Sequence, residues 1–206
     1  MTKYIGIIDY KAGNSPSVLN ALQRLNIEAR LLAAPENAGD IAGIILPGVG
    51  SARATMDSLR ENGWIDFLND RVYKNGLPFL GICVGLQVLF EHSEEGGTDC
   101  LGWLKGKVKR FDDKKVRVPH IGWNGVKFSA QCTMRDAQVK DDYFYFVNSY
   151  YAVPKDGSIV WAHTDYDGAF CSAVRYKNIT ATQFHLEKSG EAGLAVLKEF
   201  AERALT

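Results

Sequence analysis

Short apolar runs alternate with amphipathic segments through the first half of the chain. Residues 4–8 (Tyr-Ile-Gly-Ile-Ile) form a run closed by Asp9, which suits a parallel strand buried on both faces. After a turn at Lys11–Asn14, Val18, Leu22 and Leu25 recur at helical spacing. Pro16 falls in the first turn of that helix, where its missing N–H does no harm. The cycle repeats with residues 28–32 and 43–46, the loop Pro47-Gly48-Val49-Gly50, and a helix through Met56, Leu59 and Ile65. It repeats again with residues 77–82, then Cys83 and a helix carrying Leu86, Leu89 and Phe90. This alternation predicts an α/β fold of three layers, with a mainly parallel central sheet flanked by helices.

Beyond Glu94-Glu95-Gly96-Gly97 the pattern changes. Residues 101–175 are rich in β-branched and aromatic positions and show no long helical period. Strands are expected at 116–119, 143–147, 158–163 and 169–174, as antiparallel or edge additions to the sheet. Lys105 to Lys115 reads as a solvated hairpin. A last strand at 180–184 leads to a helix over 190–204 that turns Leu194, Leu197 and Phe200 inward. The chain shows neither a Pro- or Ser-rich linker nor an internal repeat, so residues 1–206 are expected to form a single domain.

Composition adds exclusions. Lys plus Arg and Asp plus Glu both number 24, and no broad positive field exists to hold a nucleic acid. The chain has no apolar run of membrane-spanning length and no leader-like start, which points to the cytoplasm and away from the membrane. Its four cysteines, at 83, 100, 132 and 171, lack CxxC spacing, so neither a disulfide scaffold nor a metal site is expected, and no cofactor motif appears.

One cysteine stands apart. Gly81-Ile82-Cys83-Val84-Gly85 lies where an apolar strand turns directly into a helix, the setting of a nucleophile elbow. Its glycines permit the tight reversal, and backbone N–H groups beyond it favour a thiolate and a developing oxyanion. The plain alternative is a small buried hydrophobe; for Cys100, Cys132 and Cys171 that alternative is preferred. A thiol nucleophile needs an imidazole, and the chain offers His92, His120, His163 and His185. His185 follows the last strand, at the sheet edge expected to carry Cys83. Extended backbone there would point Glu187 the same way, so that it could orient the ring. His92 is expected to face solvent, and His120 and His163 are weaker candidates. The loop Pro47–Gly50 matches no phosphate or dinucleotide motif; it is either a simple turn or a second oxyanion donor.

Six ordered stretches resemble the class I, triad-type glutamine amidotransferases: PGVG at 47–50, GICVGLQVLF at 81–90, SEEG at 93–96, VPHIGWN at 118–124, YFVNSYY at 145–151 and QFHLEKSG at 183–190. VPHxGWN with YFVxSY most resembles the glutaminase subunits of imidazole glycerol phosphate synthases. The resemblance implies a flavodoxin-like sheet and glutamine as substrate. It further implies Cys83 as nucleophile, His185 as acid then base, and Glu187 as orienting acid. Gly50 and Val84 would supply oxyanion N–H groups, and Gln87, Ser149 and Tyr150 would seat the glutamine. A heterodimer with a (β/α)8-barrel cyclase subunit is implied, which would take the ammonia into histidine biosynthesis, while the isolated chain stays nearly idle. Two positions depart from the family pattern. Leu186 replaces the proline between histidine and glutamate, and Asn148 replaces the histidine of YFVHSY. They leave room for a paralogous subunit serving another synthase, such as a surface-sugar amidination enzyme; a non-catalytic interaction subunit is the alternative of a different class.

Overall fold

A computed structural model describes residues 3–10, 14–129 and 140–206; Lys11, Ala12 and Gly13 of the expected turn, and Cys132, lie outside the described residues. The first half contains β1 (Tyr4–Ile8), α1 (Ser15–Arg24), β2 (Ala29–Leu32), β3 (Ile41–Gly48), α2 (Ala52–Glu61), α3 (Trp64–Leu68), β4 (Phe79–Cys83) and α4 (Val84–Gln87). Then come β5 (His92–Ser93), β6 (Thr98–Asp99), β7 (Gly106–Arg110), β8 (His120–Phe128), β9 (Asp142–Asn148), β10 (Tyr150–Pro154), β11 (Val160–Asp165), β12 (Ala169–Tyr176), β13 (Ile179–Thr182) and α5 (Gly190–Leu205).

Strands β2-β1-β3-β4-β13 lie side by side and all pair in parallel. β12 then adds antiparallel to β13 and continues through β10 and β7 to β5 and β6, while β11, β8 and β9 branch from β12. Every residue of β1, β3 and β4 is buried, because helices cover the parallel block on both sides. α1 and α5 pack together against β1, and α2 and α4 form a second group with α3. α5 buries Leu194, Leu197 and Phe200 as its spacing predicts, and a side chain of that kind contributes about 1.5–3 kcal/mol on burial. The result is the expected three-layer α/β architecture.

Several local expectations are corrected. Residues 116–119 are not a strand; the strand starts at His120, just after Pro119, and runs to Phe128. The helix expected through Ile65 is broken by Gly63, at φ 73°, into α2 and α3. The helix after Cys83 ends at Gln87, because the Val88, Leu89 and Phe90 carbonyls accept from Leu101, Leu104 and Gly102 instead of continuing it. Residues 106–110 are no isolated hairpin but a sheet strand between β10 and β5, with Val108 buried and Lys107 exposed. The strand expected at 158–163 begins at Val160, after a short turn that Asp156 caps.

Candidate active site

The site begins with the chain reversal at the end of β4. Cys83 has φ 56° and ψ −107°, a conformation that costs a non-glycine residue about 1–3 kcal/mol. The reversal holds because α4 packs directly on β3: a Cβ on Gly85 would collide with the Leu46 carbonyl. The Cys83 side chain therefore stands at the carboxyl edge of the sheet. Its sulfur lies 3.9 Å from the Val147 carbonyl and 3.5 Å from the Gln183 side-chain nitrogen.

β13 delivers the imidazole. It pairs in parallel with β4, Thr182 beside Ile82, so both strands end at the same edge and His185 arrives three residues later. The His185 N–H donates to the Tyr145 carbonyl at 2.9 Å, and Ser189 Oγ donates to the His185 carbonyl at 2.6 Å. The side chain is thus fixed from both directions along the backbone. His185 Nδ1 is 2.8 Å from Glu187 Oε1, with the two side chains 3% and 1% exposed. The contact does not arise from extended backbone, because residues 186–188 form a tight helical turn that buries Leu186. Glu187 Oε1 also accepts from Asn14 Nδ2 at 2.9 Å.

Burial alone would lower the His185 pKa; the hydrogen bonds and charges of Cys83 and Glu187 outweigh it and raise the pKa to about 10. Burial opposes charge on Glu187 too, but His185 and Asn14 together hold its carboxyl below the usual range. A charged ring between an acid and a sulfur is the electrostatic form of an activated thiol.

These groups open on a cleft of about 300 Å³ lined by Val49, Gly50, Cys83, Val84, Gln87, Glu95, Pro119, Val147, Asn148, Ser149, Tyr150, His185 and Lys188. Gly50, at φ 93°, takes a conformation that few other residues adopt. Every site residue expected from the sequence therefore lines this cleft, except Glu187, which stands behind His185. Gln87 is buried and donates to the Tyr150 carbonyl and to Gln183, both at 3.1 Å.

Two contributors carried no local signal. Asn14 holds the acid from 173 positions away, and Tyr10 donates to the Pro47 carbonyl at 2.9 Å, anchoring the glycine loop. Glu95 accepts from the Ala52 N–H at 2.7 Å and keeps a carboxyl raised by burial at the cleft wall. For Gln183 and Glu95, the stretches QFHLEKSG and SEEG were the available signals. The other histidines take no place in the cleft. His92 pairs with Asp99 at 3.0 Å, His163 is exposed, and His120 is buried among aromatic rings. Among the described residues no group of three or more His, Cys, Asp or Glu is placed to hold a metal ion, and no helix is long and apolar enough to cross a membrane.

Comparison with known proteins agrees with this geometry. The family model "Glutamine amidotransferase class-I" matches residues 6–204. Imidazole glycerol phosphate synthase subunit HisH of Dehalococcoides mccartyi (strain CBDB1) is 45% identical over 202 residues, covering 98% of each chain. The subunit of the same name from Geobacillus thermodenitrificans is 43% identical, covering 95% of this chain and 94% of its own. A solved structure described as a glutamine amidotransferase superposes with a TM-score of 0.75 at 22% identity, covering 97% of this chain and 98% of that one.

Proposed function

Because the chain belongs to the class-I glutamine amidotransferase family, we propose that it is the glutaminase subunit of an imidazole glycerol phosphate synthase, with residues 1–206 acting as one amidotransferase domain. The observation that carries this reading is Cys83, His185 and Glu187 drawn into one connected set at the wall of a cleft sized for a small amino acid. The relatives bearing the synthase name match along almost their whole length, which supports the particular acceptor.

The Cys83 sulfur attacks the side-chain amide carbon of glutamine. The oxyanion that forms is met by backbone N–H groups at Gly50 and Val84. His185 gives its proton to the departing nitrogen, the C–N bond breaks and ammonia leaves, with the glutamyl group held as a thioester. His185 then takes a proton from water as that water attacks the thioester, the C–S bond breaks and glutamate is released. Glu187 orients the ring and stabilises its charge throughout. Gln87, Ser149 and Tyr150 seat the amino-acid portion, and Glu95 supplies negative charge for its ammonium. Thiolate, imidazole and N–H groups serve each step, so no cofactor or metal is needed.

The ammonia passes to a (β/α)8-barrel cyclase subunit in a heterodimer. The outer face of β8 and β9 supports such a partner. Ile121, Trp123 and Tyr143 are 60%, 56% and 63% exposed, and Ile121 pairs across the ladder with Val147, Trp123 with Tyr145. An apolar, aromatic stripe of this kind is what interfaces bury. The same β9 supplies the Val147 carbonyl beside Cys83, so a partner on this face would lie close to the departing ammonia. Cys83, Cys100 and Cys171 are free, as suits a reducing cytoplasm.

The test combines the chain with its barrel subunit, glutamine and the phosphoribosyl substrate. Imidazole glycerol phosphate and an aminoimidazole carboxamide ribotide are the expected products. Cys83→Ala should abolish glutamine-dependent synthesis and preserve synthesis from supplied ammonia. A folded complex that makes no imidazole glycerol phosphate rules out the assignment.

A further inference from the structure

One buried histidine has no part in the chemistry above, yet it stands next to Pro119 and opposite Asn148, two residues of the cleft wall. His120 opens β8 opposite Asn148 of β9. Its ring is stacked between Tyr166, at 3.9 Å and 23°, and Phe146, at 4.8 Å and 27°. Phe111 and Phe170 meet it edge-on. An all-carbon ring would fill this slot without burying two polar nitrogens.

The nitrogens are not idle. Asn124 Nδ2 sits 3.2 Å from His120 Nε2; the amide can only donate there, so Nε2 accepts and the ring proton belongs on Nδ1. Burial holds the ring's pKa below its ordinary value, against the support of the Asn148 side chain, and keeps this neutral tautomer. Nδ1 and Asn148 Oδ1 are both buried, and neither has a hydrogen-bond partner. The two residues stand directly opposite one another in the β8–β9 ladder, where facing side chains are within reach of each other.

From Asn148 the connection reaches the cleft. Asn148 Nδ2 donates to the Tyr150 carbonyl at 3.0 Å, and the same oxygen accepts from Gln87 Nε2 at 3.1 Å. Gln87 Nε2 also donates to Gln183 Oε1, and Gln183 Nε2 points at the Cys83 sulfur. Each amide has one orientation that satisfies the chain, because the Tyr150 carbonyl can only accept, and that orientation leaves the Asn148 oxygen free to accept from the ring.

We infer that His120 is a positioning residue for the glutamine subsite: its Nδ1–H fixes the Asn148 amide, and Asn148 in turn fixes the Tyr150 carbonyl and the Gln87 side chain. This deepens the glutaminase reading and rests on it. It also gives Asn148 a role at the position where the family carries histidine. A neutral imidazole there could also offer one acceptor and one donor, but it can change tautomer and charge, whereas an amide has a fixed acceptor for the ring and a fixed donor for the carbonyl.

Two substitutions separate the N–H from the ring. His120→Phe keeps the stacked ring and loses the donor; His120→Asn loses the ring and keeps a donor near the Nδ1 position. The readouts are glutamine affinity by calorimetry in the Cys83→Ala full-length chain, KM and kcat with the barrel subunit, and the rate of Cys83 alkylation by iodoacetamide. Melting temperature follows folding. His120→Phe should weaken glutamine binding and raise KM about tenfold, equivalent to about 1.4 kcal/mol, with kcat and alkylation within about twofold of the parent. His120→Asn should recover most of the affinity. Asn148→Leu should reproduce the loss, and the double variant His120→Phe with Asn148→Leu should lose no more than either alone.

Parent-like affinity in His120→Phe would overturn the inference. So would a loss in His120→Asn as large as in His120→Phe, or additive losses in the double variant, since ring packing would then account for the effect. If His120→Phe does not fold, Asn148→Leu and His120→Asn still decide the matter: parent-like binding in Asn148→Leu overturns it. Absence of glutamine binding by the Cys83→Ala parent is a different result, which removes the glutaminase reading and this inference with it.

Discussion

Glu187→Gln isolates the charge behind the imidazole. The substitution keeps the size of the side chain and an oxygen able to accept from His185 Nδ1 and Asn14, but removes the negative charge from a contact of 2.8 Å whose partners are 3% and 1% exposed. Because both groups are buried, solvent screens the loss little. A hydrogen bond to a charged group contributes about 1.5–3 kcal/mol. If that contribution is felt in the transition state, kcat falls roughly 10- to 150-fold. The pH dependence carries the sign. His185 is raised from 6.5 to about 10, because the Cys83 and Glu187 interactions outweigh burial. Its contribution to stability is therefore complete below pH 6.5 and lost as pH rises toward 10. Glu187 is lowered from 4.5, so its contribution is present above that value and lost as pH falls below it. In the variant the alkaline limb of Cys83 alkylation by iodoacetamide should move to lower pH. The decline of urea stability between pH 6.5 and 10 should become shallower. A variant with kcat within twofold of the parent and an unmoved pH profile would refute the electrostatic role assigned to Glu187.

Two further outcomes test the partner face and the elbow. Trp123→Ala should weaken association with the barrel subunit by about 2 kcal/mol, or roughly 30-fold in Kd, without lowering the melting temperature, because the indole is largely exposed; unchanged association in a titration would exclude β8 from the interface. Gly85→Ala should destabilise the chain by about 3 kcal/mol in urea denaturation, since the new Cβ meets the backbone carbonyl of Leu46, and a loss below about 1 kcal/mol would show that α4 can shift away from β3.

The parallel half of the fold was legible because its code is local. Strands β1, β3 and β4 are buried on both faces, so they appear as unbroken apolar runs, and α5 shows its inward stripe at helical spacing. The reversal at Cys83 was legible for the same reason, its two close-packing glycines being chain neighbours. β8 was not legible. Ile121 and Trp123 face outward while His120 turns inward, which inverts the rule that apolar residues seek the core. Helix lengths depended on distant donors as well: α4 stops where residues 101–104 take the carbonyls of Val88, Leu89 and Phe90 that follow it. The sequence by itself therefore determined the layer order, the elbow and the candidates Cys83, His185 and Glu187. Tertiary structure decided that β13 lies beside β4, that Asn14 reaches the acid, and that an aromatic stripe lies beside the cleft. Burial patterns and turns arise among neighbours in the chain, whereas a site is assembled from contacts across it, and those exist only once the sheet has closed.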